Sequence, residues 1–308
     1  MASMLNENEV KEKIITLRSR NAKLAIIPEV GACITRYCLK TEEQVLEFMR
    51  PATQAGLAAA DPSGMGCFPL IPFSNRICKG RFSFQERQIK MPPNFPPEIH
   101  TIHGHGWKVP WTVSEVQENR AMLAYQHFAD EWPFPYLSRL VFELNGSTLT
   151  VTLQITNSGK SAMPAGMGLH PYFVRTPNST ITAKTEKMWV NDSENIPLSL
   201  EKSEEIKRLN HGFSVKQKSL DNLFCGWNRE VLISWPEWDA ALKISAKSPL
   251  DYLVIFTSPE EGFFCVEPVS HVTDAFNLLE NESTGHGAKI LLPDEVLEGK
   301  ISFVPVLN

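Results

Sequence analysis

The sequence of 308 residues lacks the features that mark a membrane, nucleic-acid-binding or disulfide-stabilised protein. No hydrophobic run approaches the length that crosses a bilayer, and the polar, charged N-terminus lacks the apolar core of a signal peptide. No block of Lys and Arg occurs, and the formal net charge of -5 argues against a basic nucleic-acid-binding face. These absences predict a cytoplasmic, soluble protein that binds neither membranes nor nucleic acids.

Cysteine is also scarce: six cysteines are scattered along the chain, and none forms a C-x-x-C pair. Several lie in apolar runs, where a free thiol packs as a small hydrophobic group. A chain of this length buries about 75% of its unfolded surface, so folding requires neither disulfides nor metal ions. The cysteine pattern therefore predicts a reducing compartment.

The sequence has no Gly-x-Gly-x-x-Gly or P-loop motif and few helical patterns, one of them at 203–209. A parallel nucleotide-binding sheet is therefore not expected. Short segments rich in β-branched and aromatic residues dominate instead. The segment 148–156 (TLTVTLQIT) alternates apolar and polar residues as a half-buried strand does, and ELNGST before it predicts a hairpin turn. These patterns predict an all-β fold in a single domain, residues 1–308, built as stacked antiparallel sheets or a distorted sandwich.

Two ionisable residues occur in apolar segments, each directly before a proline. Glu267 follows the run FFCV, and His170 lies in GMGLHPYF. Proline removes a backbone donor and favours extended geometry in the preceding residue, so both side chains are predicted at ends of buried strands. Burial would raise the pKa of Glu267, and an imidazole titrates near neutral pH. Taken singly, the two also fit a solvated glutamate and a hydrogen-bonded core histidine.

The segment 100–111 (HTIHGHGWKVPW) holds three histidines and two tryptophans. His103 and His105 would share a face in an extended segment, but no clear set of further metal ligands lies in this stretch. Trp107 and its neighbours instead suit a sugar, whose C–H face packs on aromatic rings while polar groups bind its hydroxyls. Core tryptophans with surface histidines are the alternative interpretation.

Two further stretches place polar side chains beside apolar residues. In GCFPLIPFSNRICKGRF, Asn75 and Arg76 follow an apolar run, and a guanidinium offers a fork of donors to oxygen atoms. In DNLFCGW, Asp221 precedes an apolar pair, and a carboxylate accepts hydrogen bonds from two neighbouring hydroxyls. A surface arginine and an Asx-type turn are the corresponding alternatives.

Taken together and in this order, these stretches resemble the aldose 1-epimerase (galactose mutarotase) family. The resemblance rests on FPLIPFSNRI, IHGHGWKVPW, GLHPYF, DNLFCGW and FCVEPVSHVTDAFN. The ends of the chain fit the family's first and last strands loosely, so the resemblance covers nearly the whole chain. It implies a large antiparallel β-sandwich (the galactose mutarotase-like supersandwich) with few short helices and a sugar cleft. It also implies an isomerase that interconverts the α and β anomers of a free aldose.

The resemblance also implies a role for each motif residue. Glu267 is the expected general base and His170 the expected general acid, with no cofactor, metal or covalent intermediate. The expected substrate-binding residues are His103, Arg76, Asp221, Asn75, His105 and Trp107. A small aldohexose is the expected partner of a monomer or homodimer.

Some alternatives stay open at this point. His105 stands where many relatives have a second glycine, so it is either an extra substrate contact or a residue behind the site. Lys79, Arg81 and Arg87 lie close to Arg76 in sequence, which keeps a hexose-6-phosphate 1-epimerase open, because a phosphate needs extra basic groups. A non-catalytic carbohydrate-binding protein and, more distantly, a metal-dependent cupin-like enzyme are the other candidates.

Overall fold

The computed structural model describes residues 13–216, 218–279 and 285–307. About half of these residues form strands. In chain order the strands are β1 (Ile15–Ser19), β2 (Ala22–Ile27), β3 (Cys33–Lys40), β4 (Val45–Glu47), β5 (Cys67–Leu70), β6 (Arg76–Ile77), β7 (Arg81–Phe84), β8 (Arg87–Lys90), β9 (Thr101–Ile102), β10 (Thr112–Val116), β11 (Arg120–His127), β12 (Tyr136–Asn145), β13 (Thr148–Asn157), β14 (Met163–Ala165), β15 (Gly168–Val174), β16 (Thr180–Ala183), β17 (Lys187–Asn191), β18 (Pro197–Glu201), β19 (Phe213–Ser214), β20 (Leu220–Cys225), β21 (Glu230–Trp235), β22 (Ala240–Ala246), β23 (Tyr252–Thr257), β24 (Phe263–Val269), β25 (Lys289–Leu291) and β26 (Val296–Leu307).

Helices are short. Helix α1 (Gln54–Ala59) begins at Thr53, whose hydroxyl accepts the Gly56 N–H. Helix α2 (Glu204–His211) matches the helical pattern at 203–209 and buries Ile206 and Leu209 on one side. Within the described ranges, neither helix is long and apolar enough to cross a bilayer.

The strands pair antiparallel in two large sheets. In the described ranges, the first sheet has eleven strands in the order β1-β2-β3-β5-β15-β24-β23-β20-β17-β18, with β4 beside β3. The second sheet has nine strands in the order β10-β11-β12-β13-β26-β22-β21-β16-β19. Small two-stranded sheets are formed by β6 with β9, β7 with β8, and β14 with β25. The prediction of a large antiparallel β-sandwich is confirmed.

The core lies between the two large sheets, because every second residue of the central strands faces inward. Polar groups also connect the sheets. Tyr37 on β3 donates its hydroxyl to the Ser147 carbonyl at 2.6 Å, and the Trp235 indole on β21 donates to the Val174 carbonyl at 2.7 Å. On β13 the buried residues are those that alternation predicted: Leu149, Val151, Leu153 and Ile155.

The predicted hairpin joins β12 to β13, and its turn is placed one residue later than Asn-Gly. Asn145 still pairs with Thr148 in the ladder, so Gly146 and Ser147 form the turn. Gly146 has φ +59°, as expected of glycine at the first position of a two-residue hairpin loop.

Candidate active site

A cleft opens on the face of the first sheet that points away from the second sheet. Its volume is about 360 Å³, within the range of about 300–1,000 Å³ typical of small-molecule sites. The floor comes from β5, β15, β24, β23 and β20, and the loops around residues 50–63, 75–76 and 95–107 form the walls. The lining residues are Arg50, Ser63, Phe68, Asn75, Arg76, Phe95, Ile102, His103, Trp107, His170, Tyr172, Asp221, Val254, Phe256, Phe263, Cys265 and Glu267.

Strands β15 and β24, which carry the predicted acid and base, are neighbours in the middle of the first sheet. Their register passes from the pair Gly168–Val269 to the pair Tyr172–Cys265, with no paired residues between. Pro171 and Pro268 lie in this interval and lack the N–H that a ladder requires. The expectation that these prolines end their strands is wrong: both strands continue, and only the ladder between them is interrupted.

His170 and Glu267 face each other across that interval. His170 Nε2 lies 3.3 Å from Glu267 Oε1, although 97 residues separate them in the chain. Glu267 is only 3% exposed. The other ring nitrogen of His170, Nδ1, is buried and has no hydrogen-bond partner among the described residues. The pair therefore meets at the floor of the cleft with little access to solvent.

Burial shifts the two groups in opposite directions. It raises the pKa of Glu267 well above its usual value, and the nearby Asp221 carboxylate raises it further, while Arg76 lowers it. Burial lowers the pKa of His170 to about 3. Because desolvation disfavours the charged form of either group, burial favours the state in which the pair holds one shared proton and carries no net charge.

Arg76 stands at one wall between two carboxylates. Its Nε donates to Glu98 Oε2 at 2.9 Å, and its Nη2 lies 3.5 Å from Asp221 Oδ2. Burial raises the pKa of Asp221, whereas Arg76 lowers it. The Asn75 side-chain carbonyl accepts the Arg76 backbone N–H at 2.9 Å and its Nη1 at 3.3 Å. Arg76 is thus fixed on several sides.

His103 reaches the cleft from an unusual backbone conformation. Its φ is +63°, and its Nδ1 accepts the Asn75 backbone N–H at 3.0 Å. Burial lowers its pKa well below the usual value, and electrostatic interactions with His170, Arg76 and Lys108 lower it further. The neutral ring therefore holds its proton on Nε2, which makes that atom a hydrogen-bond donor.

Aromatic rings form the wall next to His103. Trp107 stacks on Phe68 with ring centroids 5.0 Å apart, and its indole N–H donates to the Gly104 carbonyl at 3.1 Å. Phe68 in turn lies 4.6 Å from the His170 ring. Trp107 is only 1% exposed, so it supports Phe68 and offers little free surface. Phe95 at the rim is 38% exposed.

The comparison with known proteins agrees with this architecture. The profile of the aldose 1-epimerase family matches residues 13–304. The chain belongs to the aldose 1-epimerase family. YphB, an uncharacterised protein of Escherichia coli K12, is 32% identical over 241 residues, which cover 73% of this chain and 79% of YphB.

Solved structures share the fold. A candidate aldose 1-epimerase from Escherichia coli K12 superposes with a TM-score of 0.86 at 28% identity, covering 96% of this chain and 99% of that one. A galactose mutarotase-like protein from Clostridium acetobutylicum superposes with a TM-score of 0.84 at 22% identity, covering 96% and 95%. The second likeness concerns the fold alone.

This member of the aldose 1-epimerase family brings seven of the eight expected site residues to one cleft, and His105 is the exception. The segment is not extended, since His103 and Gly104 have φ values of +63° and +67°. His105 therefore points elsewhere: its ring stacks on His127 at 4.5 Å, and its Nδ1 lies 3.2 Å from the Tyr136 hydroxyl. Contrary to the prediction, His105 does not reach the cleft as a substrate contact.

Among the described residues, two groups of side chains have the composition of metal ligands. Around the acid–base pair, ligand atoms of His170, Cys265 and Glu267 lie within 4.8 Å of one another. Burial raises the pKa of Cys265 well above its usual value, so a metal ion here would have to displace the thiol proton.

The second group is His105, His127 and Asp130. The two imidazoles are nearly parallel, with an interplanar angle of 14°. Their in-plane lone pairs therefore do not converge on one point between the rings. The His127 Nε2 atom also lies 2.9 Å from the Trp132 carbonyl, which its N–H can reach as a donor.

Sequence reasoning missed three residues around the cleft. Tyr172 stacks on His170 at 4.7 Å, and its position two residues along the same strand was a usable signal. Glu98 and Arg50 gave no local signal. The Arg50 guanidinium lies over the Tyr172 ring at 4.2 Å from its centroid. By contrast, the basic residues named from the sequence, Lys79, Arg81 and Arg87, do not line the cleft.

Proposed function

We propose that this protein is an aldose 1-epimerase that interconverts the α and β anomers of an aldohexose. The supporting observation is the buried His170–Glu267 pair, 3.3 Å apart on adjacent strands at the floor of a sugar-sized cleft. A pair that holds one proton can give it to the ring oxygen while it takes another from the anomeric hydroxyl, so its net charge stays the same. That is the requirement of a reaction whose substrate and product differ only at one hemiacetal.

In this proposal Glu267 removes the proton from the anomeric hydroxyl while His170 protonates the ring oxygen. The bond from C1 to the ring oxygen breaks and leaves an open-chain aldehyde. Rotation about C1–C2 exposes the other face of the carbonyl, and the ring closes with the two proton transfers reversed. Each transfer contributes about 10²–10⁴-fold to the rate. The pair returns to its starting protonation state at closure.

The remaining cleft residues hold the sugar in this proposal. Arg76 and Asp221 bind hydroxyls, and the Nε2–H of His103 donates to the ring oxygen or a neighbouring hydroxyl. Asn75 keeps Arg76 and His103 in place through the contacts described above. Trp107 acts indirectly, by backing Phe68 against the sugar's apolar face. We also propose that the chain acts as one cytoplasmic domain, either as a monomer or as a homodimer.

Polarimetry on freshly dissolved α-D-glucose and α-D-galactose tests the reaction. The wild type should accelerate the decay of optical rotation, and Glu267→Gln should leave it near the spontaneous rate. Tight sugar binding without any acceleration would favour the non-catalytic carbohydrate-binding alternative. If the wild type does not accelerate the decay of optical rotation of these neutral hexoses, sugars that carry a charged group are the next substrates to test.

A further inference from the structure

Arg50 is the one charged residue among the described residues of the cleft to which the proposed reaction assigns no role. Its Nη2 donates to the carbonyls of Ser63 and Met65, both at 2.6 Å. Its guanidinium carbon lies 4.2 Å from the centroid of the Tyr172 ring and 4.6 Å from that of Phe263. The side chain is therefore locked in one orientation before any ligand arrives, as an anion-binding group should be.

The charge of Arg50 has no close partner. Among the described residues, no carboxylate forms an ion pair with it, and Asp61 and Glu261 act only at longer range. Its Nε is buried without a hydrogen-bond partner in that part of the chain. Arg76, by comparison, is held by two carboxylates. A partly buried cation without an anionic partner is costly, so it points to a negative charge supplied by the ligand.

The position of Arg50 fits a substituent on the sugar. Tyr172, beneath it, is two residues along β15 from His170, a distance of about 7 Å. Asp221 is on β20, where it pairs with Phe256 of β23. It is therefore three strands from Tyr172 across the sheet, a distance of roughly 14 Å. A pyranose at the acid–base pair that binds Arg76 and Asp221 therefore leaves space towards Arg50.

We propose that Arg50 binds an anionic substituent of the sugar, and that this enzyme acts on hexoses carrying a phosphate, sulfate or carboxylate group. The Nη2 of Arg50 is occupied by the Ser63 and Met65 carbonyls, which leaves the N–H donors of Nη1 for the oxygens of any of these groups. The inference rests on the proposed epimerase activity for its turnover test, while its binding test is independent of that activity.

Anomer exchange, followed by NMR saturation transfer, tests the proposal on four probes: glucose, glucose 6-phosphate, glucose 6-sulfate and glucuronate. For the wild type, kcat/KM on at least one anionic sugar should exceed that on glucose by about tenfold or more. Arg50→Gln should bring this ratio close to one. The preference of the wild type should also weaken as salt is added.

Arg175→Gln is the matched control. Arg175 also donates to two backbone carbonyls, those of Ser258 and Glu261, but it does not line the cleft. It should keep the wild-type ratio. Arg50→Lys retains the charge and should keep more of the preference for anionic sugars than Arg50→Gln does. It replaces Arg50→Gln as the test variant if the glutamine variant fails to fold.

Three results would overturn the proposal: no preference for any anionic probe, a preference that Arg50→Gln leaves intact, or one that Arg175→Gln removes equally. If the wild type accelerates anomer exchange of no sugar at all, calorimetric titration of the wild type and Arg50→Gln with the same four probes tests the binding site alone. Tighter binding of an anionic sugar by the wild type than by Arg50→Gln would support the site although the epimerase reaction had failed. Equal binding would refute both.

Discussion

The carboxylate of Glu98 holds Arg76 from behind, with Oε2 2.9 Å from the arginine Nε. The other oxygen, Oε1, accepts the backbone N–H groups of Ile99 and His100 at 3.0 and 3.2 Å. Glu98 is therefore fixed by its own loop and in turn fixes Arg76. The Arg76 atoms Nη1 and Nη2 remain directed towards Asn75 and Asp221 at the cleft.

Glu98→Gln should raise KM about tenfold and change kcat little, because it removes a charged hydrogen bond that orients a binding group. Separate measurement of kcat and KM checks this. Glu47→Gln is the matched control, since Glu47 pairs with Arg36 outside the cleft. A fall in kcat at constant KM would contradict a positioning role for Glu98.

Removal of either proton-transfer group should lower kcat sharply while sugar binding persists. Glu267→Gln and His170→Asn should each reduce kcat by about 10²–10⁴-fold. The double variant should lose much less than the product of the two, because the groups work as one unit. His211→Asn, at an exposed histidine of α2, is the control. Near-normal turnover by His170→Asn would show that His170 is not the general acid.

The pH profile should be flat through neutrality. The active pair holds one proton, and burial, which raises the pKa of Glu267, moves the loss of that proton to higher pH. A second proton binds only at acid pH, since burial lowers the pKa of His170 to about 3. The measurement is kcat/KM against pH. A loss of activity as the pH falls through about 4.3, the ordinary glutamate value, would contradict it.

His103→Asn should weaken sugar binding and leave the stability of the fold almost unchanged. Asparagine tolerates the left-handed conformation at φ +63°, and its carbonyl can still accept the Asn75 N–H, so the melting temperature should change little. The lost Nε2–H donor should raise KM about threefold to tenfold. An unchanged KM would exclude His103 from sugar binding.

Gly104→Ala should be strongly destabilising. Gly104 has φ +67°, and an added Cβ would lie 2.3 Å from the Ile71 carbonyl oxygen. Backbone strain and the steric clash together should lower the free energy of unfolding by about 2–5 kcal/mol in urea titrations. Gly146→Ala is the control: its φ is +59° with no atom within 4 Å, so only about 1–2 kcal/mol of strain is expected. Equal losses would show that the close contact is unimportant.

Local patterns in the sequence predicted the strands well, because alternation reflects burial directly. The segment 148–156 shows this, and the helix near 203 was equally visible. These patterns did not predict where a single strand-like segment divides into two strands that belong to different sheets. The segment 179–190 (STITAKTEKMWV) has the composition of one continuous strand, yet β16 belongs to the second sheet and β17 to the first. Only tertiary packing decides where such a run divides.

The motif residues of the cleft could be predicted from the sequence, but the residues that hold them in place could not. His170 and Glu267 occupy recognisable sequences, whereas Glu98 reaches Arg76 through a loop shaped by Asn94. That amide donates to the Ile102 carbonyl at 2.7 Å and accepts its N–H at 2.8 Å. The error at His105 came from assuming an extended backbone, which the positive φ values of His103 and Gly104 exclude.

The interrupted ladder between β15 and β24 makes the site sensitive to strand alignment. Gly168 fixes the alignment from one end, because a Cβ there would lie 2.7 Å from a Val269 methyl group. A slip of β15 by one residue would turn His170, and a slip of β24 would turn Glu267, into the apolar space between the sheets. Each unpartnered polar group there would cost several kcal/mol. The same two side chains that are proposed to open the sugar ring therefore also discriminate against misaligned sheets during folding.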